Sequence, residues 1–178
     1  TTGEPLHKRG YRPVTHEAPL RETLAAAILM VSFYKRNIKN GEVLYDPFCG
    51  SGTFLIEAAL IASNTAPGIQ RHFAGEDYRI IGRRAFDRVR ELAKNKSLIY
   101  NSDLLEKIKL RDIKSDKTSS QTSTYIYPGI APRIFGSDIS SDSIHLAKEN
   151  AKRAGVGDLI YFEKQDIYQL RRAGLLDK

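Results

Sequence analysis

The sequence predicts an α/β fold, an open, parallel, doubly wound sheet. Three observations predict it. Short apolar runs ending in turn or acidic residues recur at 42–47 (EVLYDP), 133–138 (RIFGSD) and 159–166 (LIYFEKQD). The first two are each followed by a segment with helical spacing. The first strand-to-helix junction is rich in small residues, DPFCGSGT at 46–53. Strand, helix, strand, helix, strand in that order is what a parallel sheet with crossover helices requires.

Taken along the chain, residues 1–13 read as short extended pieces around Gly3, Pro5 and Gly10. Pro19 then suits the first turn of a helix. In LRETLAAAILMVSFY, Leu20, Leu24, Ala27, Ile28 and Val31 recur at helical spacing and predict the buried stripe. Asn40-Gly41 is a turn signal. The run 42–47, stopped by proline, fits a buried strand. TFLIEAALIAS (53–63) has Glu57 as its one charge, so this helix should be buried on more than one side. APGIQRHF reads as a structured turn, and RRAFDRVRELAKNK as a basic amphipathic helix. KSDKTSSQTST (114–124) is polar and low in complexity and reads as a mobile loop. After the second strand, Ser140 or Ser141 can cap a helix whose face is Ile144, Ala147, Ala151 and Ala154. Gly155 supplies its stop, and Glu149 with Arg153 is a favourable pair four residues apart.

Composition narrows the class. The 178 residues suffice for one domain with a core, and 41% are hydrophobic and 28% charged. No run approaches the roughly 20 apolar residues that span a bilayer. The first residues lack the apolar region of a signal peptide, so the expected compartment is the cytoplasm. Cys49 is the one cysteine, which excludes an internal disulfide and a cysteine-built zinc site. The four histidines have no metal-ligand spacing, and no metal is expected. Net charge is +7, and residues 79–117 hold twelve Lys/Arg against six Asp/Glu. Such a surface suits a polyanion, nucleic acid first, or is simply a solvated basic face.

The small-residue turn admits three ligand classes. A phosphate-cradling loop of the G-x-x-x-x-G-K-[ST] type needs a lysine that Gly50-Ser51-Gly52-Thr53 lacks. A dinucleotide turn, G-x-G-x-x-G, matches Gly50 and Gly52 but has Leu55 at its third glycine. S-adenosylmethionine has no phosphates. Glycines let the backbone approach its methionine moiety, and the helix N-terminus after Gly52 can face its carboxylate. Asp46, Asp138 and Asp166 stand at the ends of the three strands, where open α/β sheets bind ligands. Asp138 would accept from ribose hydroxyls, and Asp166 would reach the adenine amine.

DPFCGSGTFLIEAAL resembles the first motif of class I methyltransferases that act on exocyclic amines. GEPLHKRGYR, APLRETLAAAIL, APG-x-x-R-x-F and GSDISSDSIHLAKENAKRAGVGD extend the match to residues 3–76 and 133–170. Together they resemble the THUMP-associated RNA methyltransferases, in particular the bacterial large-subunit ribosomal RNA guanine-N2 enzymes. The resemblance implies a Rossmann-like methyltransferase sheet and S-adenosylmethionine held at Asp46, Phe48, Gly50, Ser51, Gly52, Thr53, Asp138, Ile139, Asp166 and Ile167. Pro19 and Leu20 would close over its methionine end. It implies ribosomal RNA as partner. Lys8, Arg9 and Arg12 form a basic cluster with His7, which either touches RNA phosphates or is packed or solvated.

The resemblance also implies what should be missing. The family's catalytic Asn/Asp-Pro-Pro-Tyr/Phe follows the fourth strand, and no Pro-Pro occurs here. The chain therefore reads as the cofactor-holding part of a methyltransferase domain, with no catalytic residue assigned. Its parts are a leading segment and first helix (1–41), the first strand and cofactor helix (42–63), a long connection (64–132), and the second and third strands (133–178). Residues 95–130 look like an insertion. Strand one should pair with the absent fourth strand, so its free edge predicts self-association. Two other readings remain open: a dinucleotide-dependent oxidoreductase, and a basic RNA-binding module without catalysis. A nucleophilic role for Cys49 has little support, because its position belongs to the cofactor turn.

Overall fold

The computed structural model describes residues 3–12, 20–37, 42–97, 99 and 133–172. Three strands, β1 (Val43–Asp46), β2 (Arg133–Asp138) and β3 (Ile160–Lys164), form a parallel sheet in the order β1-β2-β3. Asp46 stands opposite Gly136, and Gly136 opposite Phe162. The helices are α1 (Glu22–Val31), α2 (Tyr34–Asn37), α3 (Thr53–Ala62), α4 (Arg83–Lys96), α5 (Ser141–Arg153) and α6 (Ile167–Arg172).

Strand periodicity divides the sheet into two faces. Leu44, Ile134, Ile160 and Phe162 point into a core completed by α3 and α5. There Leu55, Ile56, Ala58, Ala59, Ala147 and Ala151 are fully buried. On the other face Val43, Phe135 and Tyr161 are 55%, 37% and 59% exposed. Phe135 and Tyr161 touch each other, with ring centroids 6.1 Å apart. Among the described residues, then, helices cover one face where a doubly wound sheet has two.

Two helix expectations meet different outcomes. Helix α5 buries Ile144, Ala147, Ala151 and Ala154 as its spacing predicts, and adds the polar Asn150. Ser140 caps it, accepting from Ser143 N–H, and Gly155 ends it at φ +76°. The first helix is shorter than its pattern. Phe33 turns left-handed at φ +57°, Ser32 Oγ donates to Leu29 O at 2.9 Å, and the chain restarts as α2. Its buried face is Glu22, Ala25 and Leu29, whereas Leu24, Ile28 and Val31 lie outside at 52%, 45% and 79% exposure. The apolar stripe and the buried stripe differ because α1 turns Glu22 inward to meet a buried cation.

That cation comes from the leading segment, and this corrects the phosphate-binding expectation for two residues. The Arg9 guanidinium lies 3.0 Å from Glu57 of α3, with both side chains buried. Arg12 pairs with Glu22 at 3.4 Å, also buried. An arginine enclosed with a carboxylate is not offered to a phosphate. Lys8 stays at the surface beside Glu4. Tyr11 inserts between, donating to Glu57 Oε1 at 3.0 Å. Arg71 of APGIQRHF donates to the Glu4 and Pro5 carbonyls and stacks on Phe73, fixing the same segment from below. Helix α4 spans the predicted residues, buries none of them, and is held to the body by Arg90 on Glu76 and Phe86 on Phe73. The expectations for 38–41, 101–132 and 173–178, including the mobile loop and most of the insertion, lie outside the described residues.

Candidate cofactor site

The turn after β1 is built by its small residues. Gly50 adopts φ +52° and Gly52 φ +79°, a region costly for side chains. A Cβ on Gly52 would sit 3.0 Å from Ala147 Cβ and 3.3 Å from Phe162, so the turn can press against α5 only with glycine there. A Cβ on Gly50 would meet nothing within 4 Å, because that residue faces open space. Four bonds fasten the turn. Cys49 N–H donates to Ser137 O at 2.9 Å, and Gly52 N–H to Cys49 O at 2.8 Å. Gly50 N–H donates to Asp138 Oδ2 at 3.0 Å, and the buried Asn150 amide donates to Ser51 O at 3.1 Å.

The open space is a hollow of about 500 Å³ lined by Leu20, Asp46, Phe48, Cys49, Gly50, Ser51, Thr53, Phe54, Ser140, Asp142 and Ser143. Its size is within the range of small-molecule sites, roughly 300–1,000 Å³. A larger hollow, about 800 Å³, lies at the other end of α3 among Leu29, Leu60 and Pro67, and none of the turn's residues line it.

The structure gathers most of the residues singled out from sequence, but not all. Leu20, Asp46, Phe48, Gly50, Ser51 and Thr53 line the hollow. Gly52 caps α3 behind them, and Asp138 joins through its bond to Gly50. Asp166 accepts from Tyr168 N–H at 2.9 Å at the start of α6 and does not line the hollow; nor do Ile139 and Ile167. Pro19 lies outside the described residues. Sequence reading missed Ser140, Asp142 and Ser143, which α5 brings to the rim, and Asn150. A cap serine was visible, but not that its helix end faces the turn.

The electrostatics distinguish the acids. Burial raises the Asp46 carboxyl above its ordinary value; the Phe48 N–H on Oδ1 opposes this, and the nearby Asp138 adds to it. Asp138 accepts two backbone amides, from Gly50 and, at 2.9 Å, from Ser140. Burial, with Asp46 and Asp138 close by, pushes the Cys49 thiol up to about 12. It stays protonated at neutral pH and makes a poor nucleophile.

The donor set fits a zwitterionic nucleoside. Helix α3 begins at the hollow with no side-chain cap and no acid in its first turn. Among the described residues no side chain caps its first N–H groups, which could receive a ligand carboxylate. Asp46 and Asp142 supply negative charge for a cation, and Phe48, 70% exposed, offers a flat apolar surface. Among the described residues, no three His, Cys, Asp or Glu are grouped to hold a metal.

Comparison with known proteins gives consistent matches. The family described as RMKL-like, methyltransferase domain, matches residues 9–177. The chain is 41% identical over 170 residues to a ribosomal RNA large subunit methyltransferase K/L of Psychromonas ingrahamii, covering 93% of this chain and 18% of that protein. It is 38% identical to YpsC of Bacillus subtilis, described as an RNA methyltransferase, covering 94% of this chain and 35% of the relative. Among solved structures, SMU.472, described as a methyltransferase and complexed with SAH, superposes with a TM-score of 0.68 at 32% identity, covering 94% of this chain and 35% of that one. A Listeria monocytogenes protein described as an N6-adenine-specific DNA methylase gives 0.70 at 33% identity, covering 93% and 35%. The chain thus spans about a fifth to a third of the length of these relatives.

Proposed function

The chain belongs to the family of RMKL-like methyltransferase domains, and on that footing we propose that it is the cofactor-holding part of an RNA methyltransferase acting on large-subunit ribosomal RNA, with guanine N2 as the acceptor. The cofactor is S-adenosylmethionine. The observation that carries the reading is the uncapped N-terminus of α3 behind a Gly50–Gly52 turn, with Asp46 and Asp138 beside it. The relatives' names favour RNA over DNA; of the two solved structures above, the one whose description names a base names adenine N6, an exocyclic amine as guanine N2 is.

The cofactor supplies an activated methyl on a sulfonium. The protein's task is to hold that methyl in line with an amine and keep water out, because alignment supplies much of the acceleration. Gly50 and Ser51 let the backbone come close. The first amides of α3 would hold the cofactor's carboxylate, and Asp46 would serve its ammonium. Asp138 has one lone pair on each oxygen engaged by a backbone amide, which leaves the others for ribose hydroxyls. Asp166, beyond the third strand, would serve the adenine amine from outside the hollow. The groups that orient the target amine belong to the rest of the domain. That remainder would also cover the sheet face that the described residues leave exposed at Val43, Phe135 and Tyr161 and pair with the edge of β1 that they leave open. Such a protein works in the cytoplasm beside its ribosomal substrate; no helix among the described residues is long and apolar enough to cross a membrane.

Calorimetric titration of the chain with S-adenosylmethionine and with NAD tests the cofactor, with binding of the first and not the second expected. Incubating the whole protein with large-subunit ribosomal RNA and labelled cofactor tests the target. N2-methylguanosine in the digest is expected, and N6-methyladenosine would overturn the guanine assignment.

A further inference from the structure

We infer that Arg12 is a positioning residue of the cofactor site, fixing the Leu20 main chain and the Thr53 hydroxyl where the methionine end is held. The inference rests on the cofactor reading above. One Arg12 nitrogen, Nη1, donates to Leu20 O at 3.1 Å and to Thr53 Oγ1 at 2.8 Å. The other, Nη2, lies 3.4 Å from Glu22 Oε2, and both side chains are more than nine-tenths buried. Leu20 and Thr53 are wall residues of the hollow, although Arg12 is not.

The sister pair offers an internal control. Arg9, Tyr11 and Glu57 already fasten the leading segment to α3, and none of the three lines the hollow. A second buried ion pair carries a desolvation cost and adds little stability by itself. What distinguishes Arg12 is where its partners stand. There is also a chemical consequence. Because Thr53 Oγ1 accepts from Arg12, its own proton must point elsewhere, either to Ser51 Oγ at 3.2 Å or into the hollow. A donor in that direction, backed by a guanidinium, suits the carboxylate of an amino acid moiety and offers nothing to a bare adenosine.

The test uses the full chain and two probes. S-adenosylhomocysteine carries the amino acid end; 5′-deoxy-5′-methylthioadenosine keeps the adenosine and sulfur and lacks it. Calorimetry is run on the parent chain, Arg12→Lys, Thr53→Val and the control Tyr11→Phe. Lysine keeps the charge but cannot span three partners, and valine removes the hydroxyl with its shape kept. Both should weaken S-adenosylhomocysteine about tenfold or more and the thioether nucleoside by less than about twofold. Tyr11→Phe should lower the melting temperature and leave the ratio of the two dissociation constants alone. Equal weakening of both probes in Arg12→Lys and Thr53→Val would reduce Arg12 to packing, and no change in either would remove it from the site. A parent chain that binds neither probe takes down the cofactor reading and this inference with it.

Discussion

Replacing Asp138 with Asn probes the joint between β2 and the glycine turn. Its two oxygens serve two amides, Gly50 N–H at 3.0 Å and Ser140 N–H at 2.9 Å. Asparagine keeps the shape but has one oxygen, so one of those N–H groups then faces an NH2, donor against donor. The loss falls on Gly50. Ser140 remains anchored through its own hydroxyl, which accepts from Ser143 N–H at 3.3 Å, whereas Gly50 has no contact beyond its backbone to hold φ at +52°. A charge-assisted bond of this kind is worth about 1.5–3 kcal/mol. If the turn must be held to receive the ligand, affinity for S-adenosylhomocysteine falls about 10- to 100-fold by calorimetry. A second reading comes from Asp46, which is raised first by burial and in part by the Asp138 charge. Carbon-13 titration should show the Asp46 carboxyl moving down in the variant. An unchanged dissociation constant with Asp46 shifted would leave Asp138 near the site without a part in it. An unmoved Asp46 would refute the proximity itself.

Other outcomes follow from the same geometry. Burial holds Glu57 at about 7 against an ordinary 4.5, with the Arg9 charge opposing. The folded state therefore binds this proton more tightly than the unfolded chain. That stability is fully present below about 4.5 and lost as pH rises through about 7, on the order of 3 kcal/mol; urea midpoints across pH 4.5–7.5 should fall, and Glu57→Gln should flatten the slope. Gly136→Ala puts a methyl onto Leu55 Cδ1 and within 3.2 Å of Cys49 Cβ and Phe162 Cδ1, all three in the buried core. It should destabilise by about 1–3 kcal/mol, and an unchanged urea midpoint would mean that Leu55 has room to move. The edge of β1, unpaired among the described residues and with Val43 55% exposed, should let the chain self-associate. Light scattering should show a mass rising with concentration and lowered by Val43→Lys; a concentration-independent monomer would count against the open edge.

Signals confined to a few neighbouring residues were legible. The strand at 43–46, the glycine turn and the buried helix after it follow from a short apolar run, φ-permissive residues and a nearly chargeless stretch. The cap at Ser140 and the stop at Gly155 are equally local. Helix α1 was harder. Its hydrophobic spacing pointed to Leu24, Ile28 and Val31, but periodicity reports which side is apolar, not which side finds a partner.

What the sequence by itself determined is the strand–turn–helix chemistry that makes a nucleoside site possible, because backbone conformation is set by adjacent residues. The tertiary structure alone decided which charges face inward. Arg12 reaches Thr53 across 41 positions, Tyr11 reaches Glu57 across 46, Gly50 reaches Asp138 across 88 and Asn150 reaches Ser51 across 99. A lysine or arginine in a string carries the same charge whether solvated or enclosed. Only the packing of α1, α3 and the leading segment takes Arg9 and Arg12 out of water, and with that turns a basic cluster into the framework of the site.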